Sequence, residues 1–128
     1  MPRVLVIDDQ LFVRNTISVI LKAQGFEVVE ADRGSEGLKK LEETKFDLAI
    51  VDIYMPGMDG VKTIKLLQER EQCLPIIAMS GVQLNSSDKT ALDYFSMMPE
   101  LSKIPCLKKP FRPNELTAAI EKVIGATA

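Results

Sequence analysis

Asp8-Asp9, Asp52, Ser80 and Lys108-Lys109-Pro110 each follow directly on a short apolar run of the chain. Taken singly they are unremarkable: Asp8 or Asp9 could cap a helix, Asp52 and Ser80 could open loops, and Lys109 could be an exposed charge. Brought together they describe chemistry. Three carboxylates at one place repel, at about 4 kcal/mol per pair for a separation of about 4 Å and an effective dielectric of about 20, so positive charge must join them. A hard divalent cation with oxygen ligands answers that need. Mg²⁺ suits it best, because it keeps several waters and uses one or two carboxylates together with phosphate oxygens. Lys109 supplies a second positive centre. Carboxylates, a metal, a hydroxyl and an ammonium form the equipment of phosphoryl transfer, which depends on positioning and charge neutralisation. The chain contains no His, which removes His-ligated metals, Ser-His and Cys-His nucleophiles and a phosphohistidine carrier. Cys73 does not fall at this group. A carboxylate is then the best nucleophile available, and Asp52, lying between the acidic pair and the Ser80 and Lys109 side, is the expected acceptor.

Placing these residues together requires a particular set of elements. Val4-Leu5-Val6-Ile7, Val28-Val29, Leu48-Ala49-Ile50-Val51 and Pro75-Ile76-Ile77-Ala78-Met79 are compact, largely β-branched runs of the kind that form buried parallel strands. A fifth run is Cys106-Leu107-Lys108. Between them, Val13, Ile17, Ile20 and Leu21, then Val61, Ile64 and Leu67, then Leu116, Ile120, Val123 and Ile124 recur at helical spacing. Gly25 reads as a helix stop, Gly34-Ser35 as a helix start, and Pro113-Asn114 as the start of the last helix. Five βα units in series predict an α/β fold: a flavodoxin-like, doubly wound, five-stranded parallel sheet, (βα)5, in a three-layer sandwich. Ligands of such sheets bind beyond the carboxyl ends of the strands, where the polar residues above are expected.

Size and composition set the outer bounds. A chain of 128 residues, 46% hydrophobic and 27% charged, predicts one globular domain over residues 1–128. A net charge of −2 gives no electrostatic footprint for nucleic acid. No apolar run approaches the roughly 20 residues that span a bilayer, so no membrane association is expected. The cysteines Cys73 and Cys106 make neither a zinc spacing nor a CxxC pair, and the first residues do not read as a signal segment. A reducing cytoplasm is the expected location.

VLVIDD at 4–9, LAIVDIYMPGMDG at 48–60, IIAMSG at 76–81 and LKKPF at 107–111 resemble, in order, the four signatures of response-regulator receiver domains. The resemblance covers nearly the whole chain. It implies two-component signalling, in which Asp52 accepts a phosphoryl group from a sensor histidine kinase or a histidine phosphotransfer protein and becomes an aspartyl phosphate. It further implies that Asp9, Asp52 and the main-chain carbonyl of Tyr54 hold Mg²⁺, with Asp8 assisting through a water. Ser80 would hydrogen-bond the phosphoryl oxygens and Lys109 would pair with them. The amides of Ile53, Tyr54 and Gly81 would add donors, and a cis peptide before Pro110 would aim Lys109. Such a protein is a signalling phosphoacceptor taking part in its own phosphorylation and dephosphorylation. It acts on a downstream effector or a fused output domain through the fourth helix, fifth strand and fifth helix.

Departures from the family pattern cluster in one region. Cys106 stands where the family carries an aromatic switch residue, and is expected as a small core residue, with Tyr94 or Phe95 as possible substitutes. The segment from Ser80 to Lys109 is longer than usual; Pro99 would stop a longer fourth helix or lead into an extra turn, and Met97 and Met98 would be buried or offer an adaptable partner surface. Tyr54 and Val82 hold positions that would shield the phosphoryl group from water. Three other readings compete with this one. A haloacid-dehalogenase-type phosphatase needs a second Asp where Tyr54 stands. A flavodoxin-like cofactor binder would not place Asp8-Asp9 in its phosphate loop. A receiver-like module acting without phosphorylation would fit Cys106 but has no use for the acidic cluster.

Overall fold

A computed structural model describes residues 2–53, 60–71, 73–81, 104–109 and 111–124. The elements in chain order are β1 (Arg3–Ile7), α1 (Leu11–Ala23), β2 (Glu27–Ala31), α2 (Gly34–Glu43), β3 (Leu48–Asp52), α3 (Gly60–Arg70), β4 (Ile76–Gly81), β5 (Cys106–Lys109) and α4 (Pro113–Ile124). The helix expected between β4 and β5, with Tyr94, Phe95, Met97, Met98 and Pro99, lies outside the described residues.

The five strands form one sheet in the order β2-β1-β3-β4-β5, and every neighbouring pair is parallel. β1 is flanked by both β2 and β3: Val4 pairs with Val28 on one side and Leu48 on the other. The chain therefore moves outward from β1 to β2, then crosses back to start β3 on the opposite side. That crossing puts the switch point of the sheet between the carboxyl ends of β1 and β3. The predicted α/β, flavodoxin-like, doubly wound architecture is the one observed.

Alternation along the strands sorts the apolar residues into two cores. Leu5, Ile7, Ala49, Val51, Ile76 and Ala78 face Leu38 and Leu41 of α2 and Val61, Ile64 and Leu67 of α3. Val4, Val6, Leu48, Ile50, Ile77, Met79 and Leu107 face Ile17 and Leu21 of α1 and Leu116 and Ile120 of α4. Both faces of the sheet are covered, which is why β3 is buried along its whole length and reads as an unbroken apolar run.

Local chemistry sets the helix ends. After α1, the Gly25 amide donates to the Lys22 carbonyl (3.1 Å) and the Phe26 amide to the Leu21 carbonyl (3.0 Å). This paired closure needs a left-handed residue between them, and Gly25 has φ +92. At α4, Pro113 occupies the first turn while the Glu115 carboxylate accepts the Arg112 amide at 2.8 Å. No helix among the described residues is long and apolar enough to cross a membrane.

Candidate functional site

β1 and β3 each lead straight into a carboxylate at the switch point. Asp8 follows the last residue of β1 and is fully buried; its amide still continues the sheet, donating to the Ala31 carbonyl at 3.1 Å. It does not cap α1. The capping position is Gln10, whose side chain makes no cap bond, and Asp8 Oδ1 instead accepts the Gln10 amide at 2.8 Å in the turn before the helix. Asp9 is exposed. Asp52 ends β3 and is 3% exposed. Each of the three offers a carboxylate oxygen, and these atoms lie within 4.8 Å of one another.

The positive charge anticipated from the repulsion among them comes in part from β5. Lys109 Nζ donates to Asp8 Oδ2 at 2.6 Å and to Asp52 Oδ2 at 3.2 Å, bridging the two buried carboxylates. Lys109 is itself largely shielded, so the ammonium acts where water screens it little. One ammonium against three carboxylates leaves the group with excess negative charge. With Asp9 open to solvent and hard oxygen donors converging, the donor set fits a small divalent cation that keeps some of its waters. The expected contribution of the Tyr54 carbonyl lies outside the described residues, as do Val82 and the peptide before Pro110.

Ser80 reaches the same rim from β4. Asp52 is in register with Met79, so Ser80 stands one residue beyond the end of β3, and it is 3% exposed. Among the described residues its hydroxyl partner is Cys106, whose Sγ donates to Ser80 Oγ at 3.7 Å. Cys106 is exposed, not the core residue expected from its size. The reason is its place on an edge strand. Alternation turns Leu107 into the α1 and α4 core, whereas Cys106 projects to the other face of the sheet. Part of the side chain is nevertheless withdrawn from water, and this desolvation of the sulfur pushes the thiol pKa up against the opposing effects of the Ser80 contact and the Lys108 charge.

One expected donor is already committed. The Ile53 amide donates to the Met79 carbonyl at 2.9 Å, because the β3–β4 ladder runs one residue past Asp52. It is not free for a ligand. Two further residues shape the site: Gly60, read in the sequence with Asp59 as turn chemistry leading into the third helix, and Arg14, which the sequence did not single out. Gly60 opens α3, its amide donating to the Ile53 carbonyl at 3.3 Å, and a Cβ there would collide with the Asp52 carbonyl and the Ile53 backbone. Arg14 Nη1 donates to the Asp8 carbonyl at 2.8 Å. No signal in the chain pointed to Arg14.

A doubly wound parallel sheet with an acidic cluster and a lysine at its switch point defines a signalling receiver class, and the family comparison agrees. Residues 4–121 match the model of the response regulator receiver domain, and the chain belongs to that family of two-component signalling proteins. The chemotaxis protein CheY of Listeria monocytogenes is 32% identical over 128 residues, covering 95% of this chain and 98% of that protein. The alkaline phosphatase synthesis transcriptional regulatory protein PhoP of Bacillus subtilis is 28% identical over 95% of this chain, which spans only 48% of PhoP. Among solved structures, the response regulator TrrA of Thermotoga maritima, in complex with Mg²⁺-BeF, superposes with a TM-score of 0.79 at 29% identity, covering 95% of this chain and 98% of that one.

Proposed function

We propose that residues 1–128 act as one receiver domain whose Asp52 takes a phosphoryl group from a sensor histidine kinase or a histidine phosphotransfer protein. A carboxylate oxygen of Asp52 attacks phosphorus, the new O–P bond forms as the P–N bond of the phosphohistidine breaks, and the imidazole leaves with that electron pair. Asp9, Asp52 and the Tyr54 carbonyl would hold Mg²⁺, with Asp8 assisting through a water, and the bound ion would supply charge neutralisation for the transferred group. Lys109 pairs with the phosphoryl oxygens, and the Ser80 hydroxyl donates to them. The observation that carries this reading is the Lys109 ammonium shared between buried Asp8 and Asp52 beside a third carboxylate. The Mg²⁺-BeF complex of TrrA supports the same cation and acceptor chemistry here.

Phosphorylation would add about one negative charge and three acceptor oxygens at Asp52. Lys109 and Ser80 would be drawn toward the new group, repacking the ends of β4 and β5 and biasing two existing states. A downstream effector, or an output domain of the kind that could fill the remaining half of a protein such as PhoP, then reads the change. We place this activity in the cytoplasm, where kinase phosphoryl groups are available.

Intact mass after incubation with Mg²⁺ and acetyl phosphate tests the reading, with the native chain compared with Asp52→Ala. A single phosphoryl adduct on the native chain alone is expected. No adduct, together with no Mg²⁺-dependent beryllofluoride complex, would overturn it in favour of a module that works without phosphorylation.

A further inference from the structure

We infer that Arg14, on α1, is a positioning residue for the cation site, acting through the main chain of the acidic pair. The inference rests on the cation reading above. Both oxygens of the Asp8 side chain are engaged, one by the Gln10 amide and one by Lys109. The Asp8 carbonyl, by contrast, lies past the last residue of β1, and Arg14 Nη1 takes it up at 2.8 Å.

Arg14 is itself held from behind. Its Nε donates to Glu30 Oε1 at 3.2 Å, and the other Glu30 oxygen accepts the Ser18 hydroxyl at 2.8 Å. Ser18 is 4% exposed, and the Arg14 side chain is only 14% exposed. An exposed ion pair of this kind would contribute little. Here the guanidinium is clamped between β2 and α1, and its rigid planar fork offers donors in two fixed directions, one to Glu30 and one to the Asp8 carbonyl.

The consequence reaches Asp9 through covalent geometry. The Asp8 carbonyl and the Asp9 nitrogen and Cα share one peptide plane, so fixing the oxygen fixes where Asp9 leaves that plane. Asp9 is exposed, with no burial to hold it. Arg14 thus orients the one acidic side chain of the cluster that packing leaves loose.

Positioning and simple electrostatics predict opposite signs. A cation near an acidic cluster repels Mg²⁺, so loss of the Arg14 charge alone would tighten Mg²⁺ binding. Loss of the carbonyl clamp would weaken it, by about tenfold or more, as removal of groups that orient metal ligands does. Calorimetric titration of the full chain with MgCl₂ distinguishes them, using Arg14→Met and Arg14→Lys, each checked for a native unfolding transition. Both are expected to bind Mg²⁺ more weakly, including Arg14→Lys, which keeps the charge and loses the fork. Unchanged or tighter binding in folded Arg14→Met would overturn the inference. Asp9→Asn serves as the reference: if it alone loses binding, the Arg14 role fails and the cation site stands, whereas native-like binding by Asp9→Asn would remove both.

Discussion

Cys106 donates through its sulfur to Ser80, and an S–H can do so only while it remains protonated. The raised thiol pKa, caused first by burial of the sulfur, keeps it in that form through neutral pH. Alkylation of Cys106, followed by peptide mass mapping, is expected to accelerate only above the ordinary thiol range. Because the folded value lies above the unfolded one, the stability tied to this group is intact below the unfolded value and is lost as pH rises through the folded value. Urea unfolding of the native chain should therefore weaken more steeply in alkaline solution than that of Cys106→Ala; equal slopes would contradict the assignment. The residues of the acidic cluster were legible in the sequence because each ends an apolar run. Arg14 was not, since its target is a main-chain carbonyl, which no residue letter announces. Cys106 was misjudged from size alone, because exposure on an edge strand depends on which element covers that face.

At the scale of elements, two glycines separate a close approach to main chain from a close approach to a side chain. Gly60 brings the start of α3 against the backbone that carries Asp52, and an added Cβ would meet main-chain atoms of Asp52 and Ile53 that cannot move independently of the site. Gly60→Ala is expected to cost about 1–3 kcal/mol in urea unfolding and to slow phosphoryl labelling of Asp52. Gly37, within α2, faces the buried side chain of Ile7, whose Cδ1 and Cγ1 an added Cβ would displace without meeting any main-chain atom of the site. A gain of up to about 1 kcal/mol in helix propensity offsets part of that contact, so Gly37→Ala should be the milder change. The reverse order would show that α3 can shift without disturbing β3. The strands and helices themselves were readable from apolar period, and the stop at Gly25 from the left-handed turn it must make.

At the scale of the whole molecule, the described residues form two apolar cores that share one sheet, and β3 contributes to both. Ile50 packs toward α1 and α4, while Leu67 of α3 packs on the opposite face; both are fully buried. Truncation to Ala should cost about 2–5 kcal/mol at either position, a large share of an ordinary domain's stability of about 5–15 kcal/mol. Since neither core can persist without the sheet, each variant should lower the midpoint of a single cooperative transition followed by circular dichroism. A second transition in either variant would mean that the two faces unfold separately.

Residue order alone determined the alternation of strands and helices, the apolar faces that cover the sheet, and the polar residues at the strand ends, because burial and periodicity are written locally along the chain. Only the tertiary structure decided which of those ends meet. Strand order differs from chain order: β3 returns to the far side of β1, and β5 closes the opposite edge from β2. Lys109 thereby reaches Asp8 across 101 residues of sequence, and the Ile53 amide is taken by Met79. These contacts arise from the crossover that packing both faces of a parallel sheet requires, a property of the assembled layers that no local run of residues carries.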